Sequence, residues 1–450
     1  MLTRLKKVDT IVTCNEADSV YRNTDLWIED GRIVRIGSWD RTPDKEFECS
    51  DMIVYPGLIN THHHLYQYFT RNLRKVQNYE LFDWLKALYR VWANLNEKTI
   101  FLSSCAGLAE LMRYGCTTCF DHHYVFPHGS GDLLGAQFEA AASLGIRMIA
   151  SRGSMDLSEK DGGLPPDSVV QSIKEILVDS ESAVNKYHDP NPLSMRQIVL
   201  APCSPFSAST DLYRESSILA RSLGVRLHTH LCETKDEETF TMSAFGKRPF
   251  EYLSDLGWTG EDVFYAHGIH FNDAELDAIA NTGTKIAHCP VSNMKLSSGV
   301  MRLPDMLGRG IDVGLAVDGS ASNDGSNLMD EMRAAYLVHR LTWGKRAPSG
   351  YEILKIATSG SAKVLGRGDL GSIEVGKAAD IFAIRKNRSD LLCAVDDPLN
   401  LFGTVGYHRP CDLVFVNGNL TVQNGELIKI DETKLSVLSN HELGRFLKEL

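Results

Sequence analysis

The sequence predicts an α/β chain: a TIM-like (β/α)8 barrel with a small β-sandwich domain built from both termini. Three observations carry this reading. Between residues 55 and 367, eight short apolar segments alternate with helical ones. The two ends, 1–54 and 368–430, are strand-rich and share a texture that the middle lacks. Polar side chains of metal-seeking type stand at or just past the ends of the apolar segments, where a parallel barrel gathers its chemistry.

In chain order, Asp9–Cys14 and Asp25–Gly37 read as strands, with Glu29-Asp30-Gly31 as a hairpin turn between alternating runs. The stretch Val54-Tyr55-Pro56-Gly57-Leu58-Ile59-Asn60-Thr61-His62-His63-His64 then supplies the first barrel strand. On a strand, residues i and i+2 share a face, so His62 and His64 can approach one ion while His63 faces away. Borderline divalent metals favour imidazole ligands. From Glu80 to Leu95, the residues Leu81, Trp84, Leu85, Leu88, Val91, Trp92 and Leu95 recur at three- and four-residue spacing and predict an amphipathic helix.

The remaining barrel strands are expected at Thr117–Phe120, Arg147–Ser151, Gln197–Ala201, Val225–Thr229, Val263–Ala266, Lys285–Ala287 and Asp312–Val317. The fifth runs into His228-Thr229-His230-Leu231-Cys232-Glu233, the sixth into His267, the seventh into His288 and the eighth into Asp318. The glycine-proline stretch within 153–167 reads as an active-site loop, with a lid and an ordinary connection both open. Past residue 367, Asp380–Ile384 and Leu413–Val422 are strands, the latter broken by an Asn417-Gly418 turn, and 431–450 is a short exposed helix.

Composition narrows the function. With 450 residues, 43% hydrophobic and 23% charged, the chain is globular. A net charge of −11 without a basic stripe argues against a nucleic-acid partner. Neither the His-x-Glu with Pro-Cys-x-x-Cys of polynucleotide deaminases nor a G-x-x-x-x-G-K-[ST] phosphate loop is present. No apolar run suits a signal peptide or a membrane span, so a cytoplasmic protein with no membrane partner is expected. The ten cysteines, among them Cys105, Cys203, Cys232 and Cys289 assigned to apolar strands, then read as reduced thiols. Cys116 and Cys119 have no second pair to complete a zinc site and read as core residues.

These segments together resemble the amidohydrolase superfamily, in its deaminase and chlorohydrolase branch, over nearly the whole chain. The matching elements are the run from Pro56 to His64, His230-Leu231-Cys232-Glu233-Thr234, His267, His288-Cys289-Pro290-Val291-Ser292-Asn293, Asp318-Gly319, and the run from Gly371 to Asp380. The resemblance implies one divalent metal held by His62, His64, His230 and Asp318. Zinc is the first expectation and Fe2+ the alternative, since imidazole suits both. A binuclear relative would place a bridging lysine after the fourth strand, but this one continues Leu200-Ala201-Pro202-Cys203-Ser204-Pro205.

More narrowly, His64-Leu65-Tyr66-Gln67, Glu80–Leu85, Asp121–Val125 and Arg152–Asp156 resemble a bacterial 8-oxoguanine deaminase group. That implies attack of water on C2 of 8-oxoguanine, giving urate and ammonia. A bound zinc-like ion lowers the pKa of water to about 7. Asp318 is then expected to accept the proton of the attacking water, His267 to hold the nucleophile, and Glu233 to protonate the ring nitrogen. His288 is expected either to support the metal side or to touch substrate. Gln67, Tyr124, Gly153 and Cys203 are candidates for the wall of a pocket for a flat purine or related heterocycle. His122 and His123 read as hydrogen-bonded wall residues, with a second-metal role for His122 left open. Isoxanthopterin, guanine and hydroxytriazines are the alternative substrates. A non-catalytic binding protein on this fold is the contrasting class, and such a protein would be expected to have lost these ligands. The helix over 80–95 and the barrel exterior offer surfaces for a homodimer.

Overall fold

A computed structural model describes residues 1–447; the last three residues of the helix expected over 431–450 lie outside the described residues. Eight parallel strands form the barrel sheet: Leu58–Asn60, Cys116–Asp121, Arg147–Ser154, Arg196–Pro202, Arg226–Leu231, Val263–His267, Lys285–His288 and Val313–Leu315. They are referred to below as the first to eighth barrel strands. Seven fall on or within three residues of their expected positions; the first is shorter than the stretch from Val54 to His64, because Val54–Pro56 belongs to the terminal sheet. The apolar segments are too short for helices and are separated by capped helical runs, so length settles their type.

Between the first and eighth strands, Thr61 N–H and Oγ1–H both donate to the Leu315 carbonyl (3.1 and 2.9 Å). One step further on, His63 and His64 pair in parallel with Asp318 and Gly319. The regular strand therefore ends at Asn60, and the closing seam is made by the residues that carry the candidate site. The alternation expected of His62, His63 and His64 survives this break. His63 points outward, its Nε2 bonded to Ser326 Oγ at 2.9 Å.

Period-2 alternation stacks the interior in layers. Phe120, Ile149, Val199 and Phe264 fill the lower barrel together with Ile59. Two residues further along their strands, His122 and His230 stand above Phe120 and His228. The His228 ring rests on Phe264 (4.3 Å between centroids) and Phe120 (4.8 Å). The site thus rests on an aromatic and aliphatic floor.

Both termini join in one nine-stranded sheet. Met52–Pro56 pairs in parallel with Leu2–Val12 and antiparallel with Ile381–Arg385, which stitches the two ends of the chain together. Its Asp30-Gly31 and Asn417-Gly418 turns have φ of 50° and 79°, and of 48° and 72°. Both positions in each are left-handed, as a type I′ hairpin requires. Residues from the two termini share one core, including Leu5, Ile28, Val54, Ile381 and Phe415, and Phe47 meets Phe415 edge to face at 5.4 Å. Arg147 of the third barrel strand, fully buried, pairs with Asp380 at 3.1 Å and fastens the sheet to the barrel.

Two details differ from expectation. Cys105 lies in the helix Glu97–Arg113 rather than in a strand, and Cys203, Cys232 and Cys289 each lie one residue past a strand end. The final helix, Glu432–Phe446, is not wholly exposed: Phe446 and Glu442 are buried, the latter held by Lys98 at 2.8 Å. Cys116 and Cys119 do lie on the second barrel strand, fully buried. No helix among the described residues is long and apolar enough to cross a membrane.

Candidate active site

At the carboxyl rim, hydrogen bonds fix which nitrogen of each imidazole carries its proton. His64 Nδ1–H donates to the His122 carbonyl, and His230 Nδ1–H to the Cys203 carbonyl, each at 2.7 Å. Both rings are left with a lone pair on Nε2, and those two nitrogens lie 3.1 Å apart. His228 Nδ1–H donates to the Phe264 carbonyl (2.9 Å), so its Nε2 accepts from His62 Nδ1–H, also at 2.9 Å. His62 Nε2 is then an acceptor too; it is buried without a hydrogen-bond partner. Asp318 Oδ1 lies 3.4 Å from it and 3.3 Å from His64 Nε2.

Four acceptors therefore face one another with no donor among them. Such a set fits a divalent cation of the zinc type. Burial first, and mutual crowding second, hold His64 and His230 well below the ordinary imidazole range, so both stay uncharged ligands at neutral pH. Burial works against ionising Asp318, but the surrounding His62, His267 and His64 hold its carboxyl well below the usual carboxylate range. Its Oδ2 accepts from Ser292 Oγ (2.5 Å) and Ser322 Oγ (3.4 Å), which fixes the direction of Oδ1.

Ligand-capable atoms of His62, His64, His122 and His230 lie within 4.8 Å of one another, as do those of His62, His267 and Asp318. The expected set takes three members of the first group and one from the second. His122 is a buried, hydrogen-bonded member of this cluster. Its ring Nε2–H donates to the Ala201 carbonyl (3.0 Å) and its own carbonyl steers His64. His123 is likewise buried, its ring edge to face with Tyr66.

Glu233 and His267 meet beside this cluster, Oε2 to Nε2 at 3.5 Å. His267 Nδ1–H donates to Asn293 Oδ1 (2.9 Å), and Ser298 Oγ–H donates to Glu233 Oε1 (3.3 Å). Burial raises the Glu233 carboxyl above its ordinary range, with His267 pulling the other way. For His267, burial is opposed by the carboxylates of Glu233 and Asp318, which raise it. An acid–base pair thus adjoins the acceptor cluster.

A cavity of about 370 Å³, counting its open mouth, joins these groups. It is lined by His64, His230, Glu233, His267 and Asp318, and by Gln67, Tyr124 and Cys203 from the expected wall. Two expected wall residues lie elsewhere. Gly153 is a packing residue: a Cβ there would overlap the His123 carbonyl, so glycine lets the third strand approach the segment that presents Tyr124. His288 turns outward and pairs with His339 of the helix Leu328–Trp343, Nε2 to Nε2 at 3.0 Å.

Sequence reasoning missed the rest of the wall. Leu81, Trp84 and Leu85 of the helix Leu81–Trp92 cover the cavity with Phe206, and Leu296 and Ser322 complete it. The heptad-like spacing of that helix signals a buried face but cannot say that the face covers a site. No residue of 153–167 lines the cavity; Asp156 ties that loop down through Ser209 N–H at 2.7 Å.

A buried acceptor cluster with an acid–base pair at the carboxyl rim of a (β/α)8 barrel defines a metal-dependent hydrolase. The chain belongs to the amidohydrolase family, whose match covers residues 53–421. It falls in the deaminase and chlorohydrolase branch and is a hydrolase acting on C–N bonds. It is 44% identical over 410 residues to an 8-oxoguanine deaminase of Pseudomonas aeruginosa, covering 90% of this chain and 91% of that one. It is 38% identical over 448 residues to a hydroxydechloroatrazine ethylaminohydrolase of a Pseudomonas strain, covering 95% and 92%. Among solved structures, an atrazine chlorohydrolase of Arthrobacter aurescens complexed with zinc superposes with a TM-score of 0.95 at 30% identity, covering 98% of this chain and all of that one. Metal-dependent hydrolytic deamination of a small heterocycle is the reaction class these relatives support.

Proposed function

We propose that the chain deaminates 8-oxoguanine, water replacing the 2-amino group to give urate and ammonia, with zinc as the resident ion. The observation that carries this is one small cavity holding the acceptor cluster, the Glu233–His267 pair and an amide, Gln67, whose Oε1 is buried without a partner. The Pseudomonas aeruginosa relative supports the choice of purine.

His62, His64, His230 and Asp318 would hold the ion. When bound, it supplies the Lewis acidity that makes water a nucleophile at neutral pH. Asp318 accepts the proton of the water that attacks C2, and His267 holds that water in line through its Nε2. Glu233 delivers a proton to the adjacent ring nitrogen. The C2–N bond then breaks, the proton held by Asp318 leaves with ammonia, and the proton of the new C2 hydroxyl returns to Glu233 as the C2 carbonyl forms. Gln67 Oε1 accepts from a ring N–H, relieving an unmade buried hydrogen bond. Tyr124, Cys203 and the cover of Trp84 and Phe206 flank the ring faces and exclude water.

An ammonia-release screen tests this, with urate followed by its absorbance. The panel is 8-oxoguanine, guanine, isoxanthopterin and a hydroxytriazine amine. The expected result is the highest kcat/KM on 8-oxoguanine; higher values on another ring would replace that substrate. No turnover of any purine, pterin or triazine by metal-replete protein would discard the reading. Metal analysis of the purified protein is expected to find one zinc per chain.

Gly319→Ala probes the amide. A Cβ at Gly319 would overlap Gln67 Oε1 and Cδ. Displacing that side chain is expected to raise KM roughly tenfold or more, the worth of one lost buried hydrogen bond, at unchanged metal stoichiometry. Steady-state kinetics across the panel check it.

A further inference from the structure

We propose that Glu237 is the positioning residue that sets the Glu233 carboxyl against its substrate; this rests on the reading of Glu233 as the proton donor. Glu237 is 1% exposed and opens the helix Lys235–Phe245 at its third position. A glutamate there ordinarily reaches back to the amide of the N-cap residue, here Thr234. Glu237 reaches further. Its Oε1 accepts from Cys232 N–H (3.0 Å) and its Oε2 from Glu233 N–H (2.9 Å). Both oxygens are thereby committed to two consecutive peptides, and Arg248 is engaged elsewhere, by Glu238 and Glu275.

Those two peptides are the ones that need holding. The fifth barrel strand ends at Leu231, and Cys232 then takes a left-handed φ of 54°, uncommon outside glycine, to turn Glu233 into the cavity. The Cys232 carbonyl, on the other side, accepts from Ile269 and His270 N–H at 2.9 and 3.0 Å. Gly268 N–H donates to the Leu231 carbonyl at 3.0 Å. The Cys232 turn is thus clamped between Glu237 and the segment that follows His267. One buried carboxyl group so fixes the spacing between Glu233 and His267, though it does not line the cavity itself.

The test uses the full-length, metal-loaded protein and the best substrate of the panel above. Glu237→Gln retains one acceptor and Glu237→Ala retains none. Both are expected to lose kcat, the alanine variant about 100-fold as for an ångström-scale misplacement and the glutamine variant less, with KM and metal stoichiometry near the parent values. The kcat–pH profile is expected to shift with them, a change that loss of fold stability alone would not produce. A folded, metal-replete Glu237→Gln or Glu237→Ala protein with the parent kcat and pH profile would overturn the proposal, even if its melting temperature fell. Should the alanine variant not fold, the glutamine variant decides. Glu233→Gln run alongside separates the two readings: if it retains parent turnover, the role of Glu233 fails; if it is dead while the Glu237 variants match the parent, only the positioning role fails.

Discussion

Glu233→Gln is expected to lower kcat by roughly 10²–10⁴-fold, the range for a positioned proton-transfer group, while the metal stoichiometry stays at the parent value. Glutamine keeps the shape of the side chain and can still accept from Ser298, which lies 3.3 Å from the present carboxyl oxygen. What it cannot do is exchange a proton. The carboxyl is 4% exposed, and burial raises its affinity for a proton, so it suits delivery to a ring nitrogen at neutral pH. Because the loss falls on a step after binding, kcat and kcat/KM should drop together. Single-turnover ammonia release with parallel metal analysis checks this. Parent-like turnover would remove Glu233 from the chemistry.

The barrel and its cation-seeking residues were legible in the sequence because each rests on local pattern. A short apolar run has one way to lie in a parallel sheet, and a polar residue two positions past a buried one must point inward with it. That logic brings His62, His64, His230 and Asp318 to one rim, where their ligand-capable atoms face one another. It also separates the outward His63. It fails where orientation depends on a distant partner. His288 ends its strand as the other ligand-like residues do, yet the approach of His339 from another helix turns it away. Gly153 reads as wall because it follows the expected strand end, whereas close packing against His123 explains it. The helix Leu81–Trp92 has an apolar face visible in its spacing, but only the fold shows that Trp84 covers the cavity. The His62–His228–Phe264 chain of hydrogen bonds was hidden for the same reason. A histidine two residues before another reads as a second ligand or a core residue until its acceptor is known.

Stripping the ion with a chelator is expected to abolish turnover and to lower the melting temperature, and adding back zinc should restore both. The acceptor cluster explains why the stability effect should be large. His64 and His230 present lone pairs to each other at 3.1 Å, and Asp318 Oδ1 stands 3.3–3.4 Å from His64 and His62. With nothing between them these groups repel in a buried site, and burial disfavours filling the gap with protons on His64 and His230. A cation relieves all of this at once, and it binds only where the barrel has closed, since His63 and Asp318 pair across the closing seam. Binding to the folded state alone stabilises by about 4.1 kcal/mol when free metal is 1,000 times its dissociation constant, so the melting temperature should climb with zinc concentration. His230→Ala should flatten that dependence, because it removes one acceptor without touching the seam. Thermal denaturation of both proteins over a zinc titration decides the matter: a melting temperature that ignores zinc in the parent would mean that these four side chains do not grip an ion.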